Sequence, residues 1–392
     1  MSYHIPFVFG KSDCTFVSEM YADSDIVRVA LDKAATLTPQ LPPTAKIWID
    51  PLIDGLHQPI SAQDKKWHAY IGRYANWNSF YDKQFIAKPE QPLLGDFVSM
   101  VMKQSTAGRA DYVTVPQLPF TNDSANHKIN RDLAAATRTW VENNNSDVQL
   151  ILPIILTNQQ QINKKTDRNN RVKNTKTCYV QSGATGYWVV DESLSDYKAS
   201  KTFRERYRGI IDFHDELNAA LNSPPLRIGG PYWGLNLVLW AKELITHPAI
   251  GIGRGYQYFL SGGIQTTSKT RIALSPLRRL VVAQPELRLW IDEALTKLDS
   301  DSKAYHDFQA IRNQVGHLSM VKEAARRQIA RFYKDWYNHI ESASAAGRAL
   351  ALYQDLSTAY VLGKSLNLSL PTTEAPARKP ELVAENLMMQ CL

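Results

Sequence analysis

Cysteine is scarce in this 392-residue chain. Its three copies, Cys14, Cys178 and Cys391, lie far apart, so no CxxC pair can hold a structural zinc or run thiol exchange. That scarcity predicts a reduced, cytoplasmic protein. Long apolar runs are missing as well. No stretch approaches the ~18 apolar residues of a membrane span, and the first residues lack a basic segment followed by an apolar one. Neither a secretory leader nor a membrane partner is expected. No GxGxxG turn follows the first apolar run, and no HExxH or HxxxH pattern occurs, so neither a dinucleotide fingerprint nor a local metal site is written here. No cofactor is predicted.

Acid is in short supply relative to base, with 45 Lys plus Arg against 38 Asp plus Glu and a formal charge of +7. An excess of that size favours polyanionic partners without leaving the range of ordinary enzymes. Hydrophobic residues make up 44% of the chain, enough for one large core, or for one core with an appended helical module.

What is present is an alternation. Short apolar runs at 5–9, 46–50, 111–115, 147–157, 187–190, 226–228, 249–252 and 271–274 are separated by segments of helical periodicity, among them 126–142, 196–221 and 235–245. The apolar residues near 26–31 also fit a helix at that spacing. Strands alternating with helices in this number predict an α/β fold, a (β/α)8 TIM-type barrel, with a C-terminal helical extension. The expected division is 1–300 for the barrel, 301–370 for a helical module and 371–392 for a flexible tail rich in Pro, Glu, Ala and Lys. The polar, basic stretch 159–177 reads as a solvated loop.

In parallel α/β sheets ligands meet the loops after the strand C-termini. The residues just past those ends are the candidates: Asp50, Asp54, Asp191 and Glu192 as catalytic carboxylates, with His57, Gly229, Gly230, Tyr232, Arg254, Tyr256 and Gln257 as substrate contacts. Two carboxylates facing each other form the minimum set for glycosidic bond chemistry, one as nucleophile or oxocarbenium stabiliser, the other exchanging a proton with the leaving group. Glycines let backbone N–H groups approach an anionic or planar ligand, tyrosines offer flat faces, and an arginine offers a planar donor fork. Each feature also has a plain structural use, as a turn, a helix cap or wall packing.

Two basic segments point to nucleic acid. One is Lys164, Lys165, Arg168 and Arg171; the other is Arg326, Arg327 and Arg331 beside the aromatics Phe332, Tyr333, Trp336 and Tyr337. The second set equally fits a solvated helix face over an aromatic core.

In the order of its pieces the chain resembles the tRNA-guanine transglycosylase superfamily, including relatives that insert deazaguanine bases into DNA. The resemblance runs over about 5–261. It implies a strand-end aspartate acting as acid or base, which Asp50 or Asp54 matches, and a Gly-rich strand end that recognises the base, which Gly229 and Gly230 match. The late strand here reads Gly253, Arg254, Gly255, with no aspartate where that family has its nucleophile, and the family's Cys-rich zinc site is absent. The expected function is a barrel enzyme acting at a glycosidic bond of a nucleic acid or nucleoside-like substrate, in the manner of a transglycosylase and so a transferase. The rivals are a non-catalytic nucleic-acid-binding subunit of an assembly with partner proteins, and a carbohydrate-active barrel enzyme.

Overall fold

The computed structural model describes residues 7–8, 26–51, 53, 91–120, 124–157, 160–195, 200–251, 270–371 and 378–392. Its centre is a curled parallel sheet, a half-barrel. The strands are β1 (Phe7–Val8), β2 (Ile26–Ala30), β3 (Lys46–Asp50), β4 (Tyr112–Thr114), β5 (Gln149–Leu156), β6 (Gly186–Asp191) and β7 (Leu226–Gly229). Each pairs in parallel with the next in chain order. Two short pieces end the order: β8 (His247–Pro248) bonds to β7, and β9 (Ile250–Gly251) bonds to β1.

Parallel strands joined by helical crossovers are covered on both faces and so read as nearly continuous apolar runs. That is the pattern here. Ile26, Trp48, Ile151, Ile155, Trp188, Val190 and Ile228 form a cluster on the concave face, while Val27, Val29, Ile47, Ile49, Leu152, Ile154, Tyr187 and Val189 pack outward against helices. The helices are α1 (Leu31–Leu37), α2 (Gln91–Ser105), α3 (Ser124–Asn143), α4 (Gln160–Asn163), α5 (Lys165–Ser182), α6 (Ser200–Leu221) and α7 (Leu235–Ala241).

Four expectations are corrected. Residues 26–30 form a strand, not part of a helix. The run Ile-Val-Arg-Val-Ala matches helical spacing, but it is β-branched and both of its faces are buried, which a strand in a covered sheet achieves. Residues 271–274 do not join the parallel sheet. They form β10 (Arg271–Leu274), which pairs antiparallel with β11 (Arg279–Val282) in a separate hairpin.

The third correction is the stretch 159–177, whose larger part lies in helix α5. The buried residues of that helix are Arg168, Arg171, Thr175, Cys178 and Ser182, at spacings of three and four. It has a buried stripe, but one composed of polar side chains, so hydrophobic periodicity cannot reveal it. Gly183, at φ 67°, ends the helix in the left-handed conformation that glycine adopts most easily.

The fourth is the C-terminal tail. After α8 (Pro285–Leu295), α9 (Lys303–Met320), α10 (Lys322–Glu341) and α11 (Arg348–Leu366), the chain closes with α12 (Leu382–Cys391). Val383, Ala384, Leu387 and Cys391 of α12 sit in the main core, and Arg204 of α6 pairs with Glu385 at 3.0 Å. A tail this apolar on one side has a hydrophobic reason to dock. A second core joins the hairpin to α8, α9 and the end of α11, from Ile272 to Leu370, so the helical module begins before 301. The aromatics of α10 belong to the main core. No helix among the described residues is long and apolar enough to cross a membrane.

Candidate functional site

At the carboxyl end of β3, on the concave face, Asp50 meets Arg28 of β2. Arg28 Nε donates to Asp50 Oδ2 at 2.7 Å, and a terminal guanidinium nitrogen contacts the same oxygen. The register puts Ala30 beside Asp50 and Arg28 beside Trp48, so the arginine reaches diagonally across the ladder. Its guanidinium carbon lies 4.5 Å from the Trp188 ring and 5.7 Å from that of Trp48, and the two indoles meet edge to face at 5.0 Å. Trp48 Nε1 donates to Thr114 Oγ1, and Trp188 Nε1 to the Gly230 carbonyl, each at 2.7 Å.

Each part has a local cause. Alternation along β2 and β3 turns positions 26, 28, 48 and 50 inward together. Gly230 has φ 101°, and a Cβ there would stand 2.7 Å from the Tyr232 nitrogen, so only glycine lets the chain turn and present this carbonyl. A buried ion pair contributes little net stability, because desolvating both charges offsets their attraction. The pair sits at a strand end, between two indoles.

Asp191 lies elsewhere. It shares the parity of Tyr187 and Val189, on the convex face, and pairs with Arg206 of α6, with both side chains at 2% exposure or less. Burial lowers the Arg206 pKa, which Asp191 opposes. Tyr232 is in the same layer. Its hydroxyl donates to the Val189 carbonyl at 2.7 Å, and burial, reinforced by Asp191, pushes its pKa well above the ordinary range. The four expected carboxylates are therefore not brought together as a set. Asp50 faces the concave side, Asp191 and Tyr232 stand behind the sheet, and Glu192 is half-buried at the start of a 3-10 turn after β6. Gly229 packs where a Cβ would meet Ile245. Asp54, His57, Arg254, Tyr256 and Gln257 lie outside the described residues.

The basic residues divide similarly. Arg168 is buried and reaches Glu216 at 3.0 Å and Asp212 at 3.3 Å, and Arg171 lies 3.2 Å from His127 Nε2 and 5.7 Å from the Phe120 ring centre. Lys164 and Lys165 are exposed. On α10, Arg327 pairs with Glu323 at 2.8 Å, Arg326 is half-buried and Arg331 is exposed. Phe332, Tyr333, Trp336 and Tyr337 are all buried, with Trp233 stacked on Phe332 at 5.8 Å, so no nucleic-acid base can lie on them as expected.

Sequence reasoning missed Arg28, Trp48, Trp188 and Thr114. Arg28 was the available signal, as a lone charge inside a β-branched run, which a buried strand holds only with a partner. A cleft of about 1420 Å³ opens between α9, α10 and α11, but several of its charges are already paired, Arg278 with Asp355 and Lys303 with Asp307 both at 2.6 Å. Among the described residues no three His, Cys, Asp or Glu side chains group as metal ligands.

No protein-family model, curated protein or solved structure matches this chain.

Proposed function

We propose that this chain is a (β/α)8-type barrel enzyme acting at a glycosidic bond of a nucleic acid or nucleoside-like substrate. In this reading its relatives are the tRNA-guanine transglycosylases, and it exchanges or releases a base. Closure of the barrel is supported by the last two pieces of the sheet. Only Ala249 separates β8, bonded to β7, from β9, bonded to β1, so the two act as one eighth strand interrupted at a single residue. The Ala249 carbonyl leaves the ladder to accept from Asn236 Nδ2 at 2.5 Å, which accounts for the interruption.

The observation that carries the chemical reading is the Arg28 and Asp50 pair at the strand ends. Arg28 pairs with Asp50, which is only 3% exposed, so the pair sits in surroundings of low dielectric. A carboxylate so placed suits the nucleophile or oxocarbenium stabiliser of glycosidic chemistry, and Glu192, from the end of β6, takes the proton-exchanging role. Asp191 is reassigned to the scaffold.

The test is base release or exchange from DNA, RNA and free nucleosides. Asp50→Asn and Glu192→Gln should each lower turnover by ~10² or more while leaving substrate affinity nearly unchanged. Full activity in both variants, or no base released by the unaltered protein, overturns the reading. Turnover on neutral oligosaccharides instead would make it a carbohydrate enzyme.

A further inference from the structure

The outward sides of α3 and α5 lie next to each other and carry Lys128, Arg131, Lys164, Lys165, Lys173 and Lys176, all exposed. None of these side chains is within ion-pair reach of a carboxylate among the described residues. Few acids lie nearby: Asp132 of α3 stands one turn from Lys128 without pairing with it, Asp167 is the only acid within α5, and Asp212 and Glu216, the carboxylates that α6 turns towards it, are both engaged by the buried Arg168. Six cations against the two acids Asp132 and Asp167 leave a net positive potential on this face.

The face is also placed to serve the strand ends. In a parallel sheet each crossover helix starts at the end where the preceding strand stops. The starts of α3 and α5 therefore stand at the same end of the sheet as Asp50, with Lys164 and Lys165 at the start of α5, Lys128 in the second turn of α3 and Arg131 about two turns along it. Lys173 and Lys176 continue down the outside of α5. From Lys165 to Lys176 the helix rises about 16 Å at 1.5 Å per residue, the span of roughly five phosphates at 3.4 Å each. Thr166, Asn169 and Asn170 are exposed among the lysines and offer the hydroxyl and amide donors that phosphate oxygens accept. Val180 is the one exposed large apolar side chain among the described residues of these two helices, too little for insertion into lipid.

We propose that this face is a track for the phosphate backbone of a nucleic acid, leading it to the strand ends. The identification of the polyanion as nucleic acid rests on the function proposed above.

The experiment measures binding of the full chain to single-stranded and duplex DNA and RNA oligonucleotides between 50 and 200 mM salt. Replacing Lys164, Lys165, Lys173 and Lys176 together by Gln should weaken binding at least ~10-fold. It should also flatten the plot of log affinity against log salt by about 3, at 0.7–0.9 for each phosphate no longer neutralised. Turnover on a free nucleoside should be unchanged, which also reports on folding. The pair Lys173→Gln and Lys176→Gln alone should flatten the slope by about half as much, and Arg326→Gln with Arg331→Gln should leave it as it was. A slope unchanged in the quadruple variant overturns the track, as does an equal loss from the α10 control. So does lysine-dependent binding to phosphatidylserine vesicles without binding to any oligonucleotide. If base release proceeds on nucleic acid but ignores these lysines, the track fails and the proposed function stands. If the lysines govern binding and no base is ever released, the reverse holds.

Discussion

Two buried ion pairs lie on opposite faces of one sheet. Arg28 and Asp50 face its concave side, between two indoles and beside the polar groups of Thr114 and the Gly230 carbonyl. Arg206 and Asp191 are sealed on the convex side between β6 and α6, with Tyr232 beside them. Both aspartates end a strand, and both meet an arginine. The difference is one of parity: side chains alternate between faces, so one residue of offset moves a carboxylate from the concave face to the convex one, where α6 covers it. Strand-end position alone is therefore a poor guide to catalysis.

The convex pair puts this contrast under the most severe strain. Asp191→Asn leaves Arg206 buried and uncompensated, and should destabilise the fold by about 3–5 kcal/mol, the cost of breaking a buried pair from one side. Replacing both partners, Asp191→Leu with Arg206→Met, should restore most of that stability and leave turnover intact, as read by denaturant unfolding and the base-release assay. If the double replacement removes activity while the protein stays folded, Asp191 belongs to the chemistry after all.

The same exchange at the concave pair should separate differently. Arg28→Met with Asp50→Leu should fold as well as the unaltered protein, since well-packed apolar residues replace a buried pair at little or no cost. Turnover should fall by ~10² or more. Retained activity in that variant would make the concave pair as structural as the convex one.

The smallest effect concerns a third charge-bearing group behind the sheet. His214 of α6 is fully buried, and burial, with the Arg227 charge adding to it, depresses its pKa from 6.5 to about 3. The folded state resists a proton that the unfolded chain accepts, so this contribution is complete above pH ~6.5 and is lost as pH falls from there towards 3. His214→Leu should shift the midpoint of acid unfolding to lower pH without altering turnover at neutral pH. An unchanged midpoint would show that the convex layer is not what acid attacks first.

Much of the scaffold was legible in the sequence. The runs at 46–50, 147–157, 187–190 and 226–228 stand out because strands covered on both faces must be apolar throughout, and the helices between them are amphipathic with ordinary core residues, such as Phe213 and Leu217 of α6. Residues 26–30 were ambiguous because a short run made mostly of β-branched residues satisfies a helical spacing as readily as a strand. The helix at 165–182 was invisible because its inward side is Arg, Thr, Cys and Ser, which pack only through partners such as Glu216 that lie far away in sequence.

Composition and local pattern thus determined the parallel α/β class, the strand-end location of the candidate carboxylates and the basic excess. Tertiary structure alone decided which carboxylate faces which side, that Arg28 is the partner of Asp50, that Arg168 is spent on α6 while the lysines beside it face outward, and that residues 382–391 dock into the core. Each of those outcomes depends on charges and surfaces brought together across tens of residues, and an ion pair or a covered face exists only once both halves are in place.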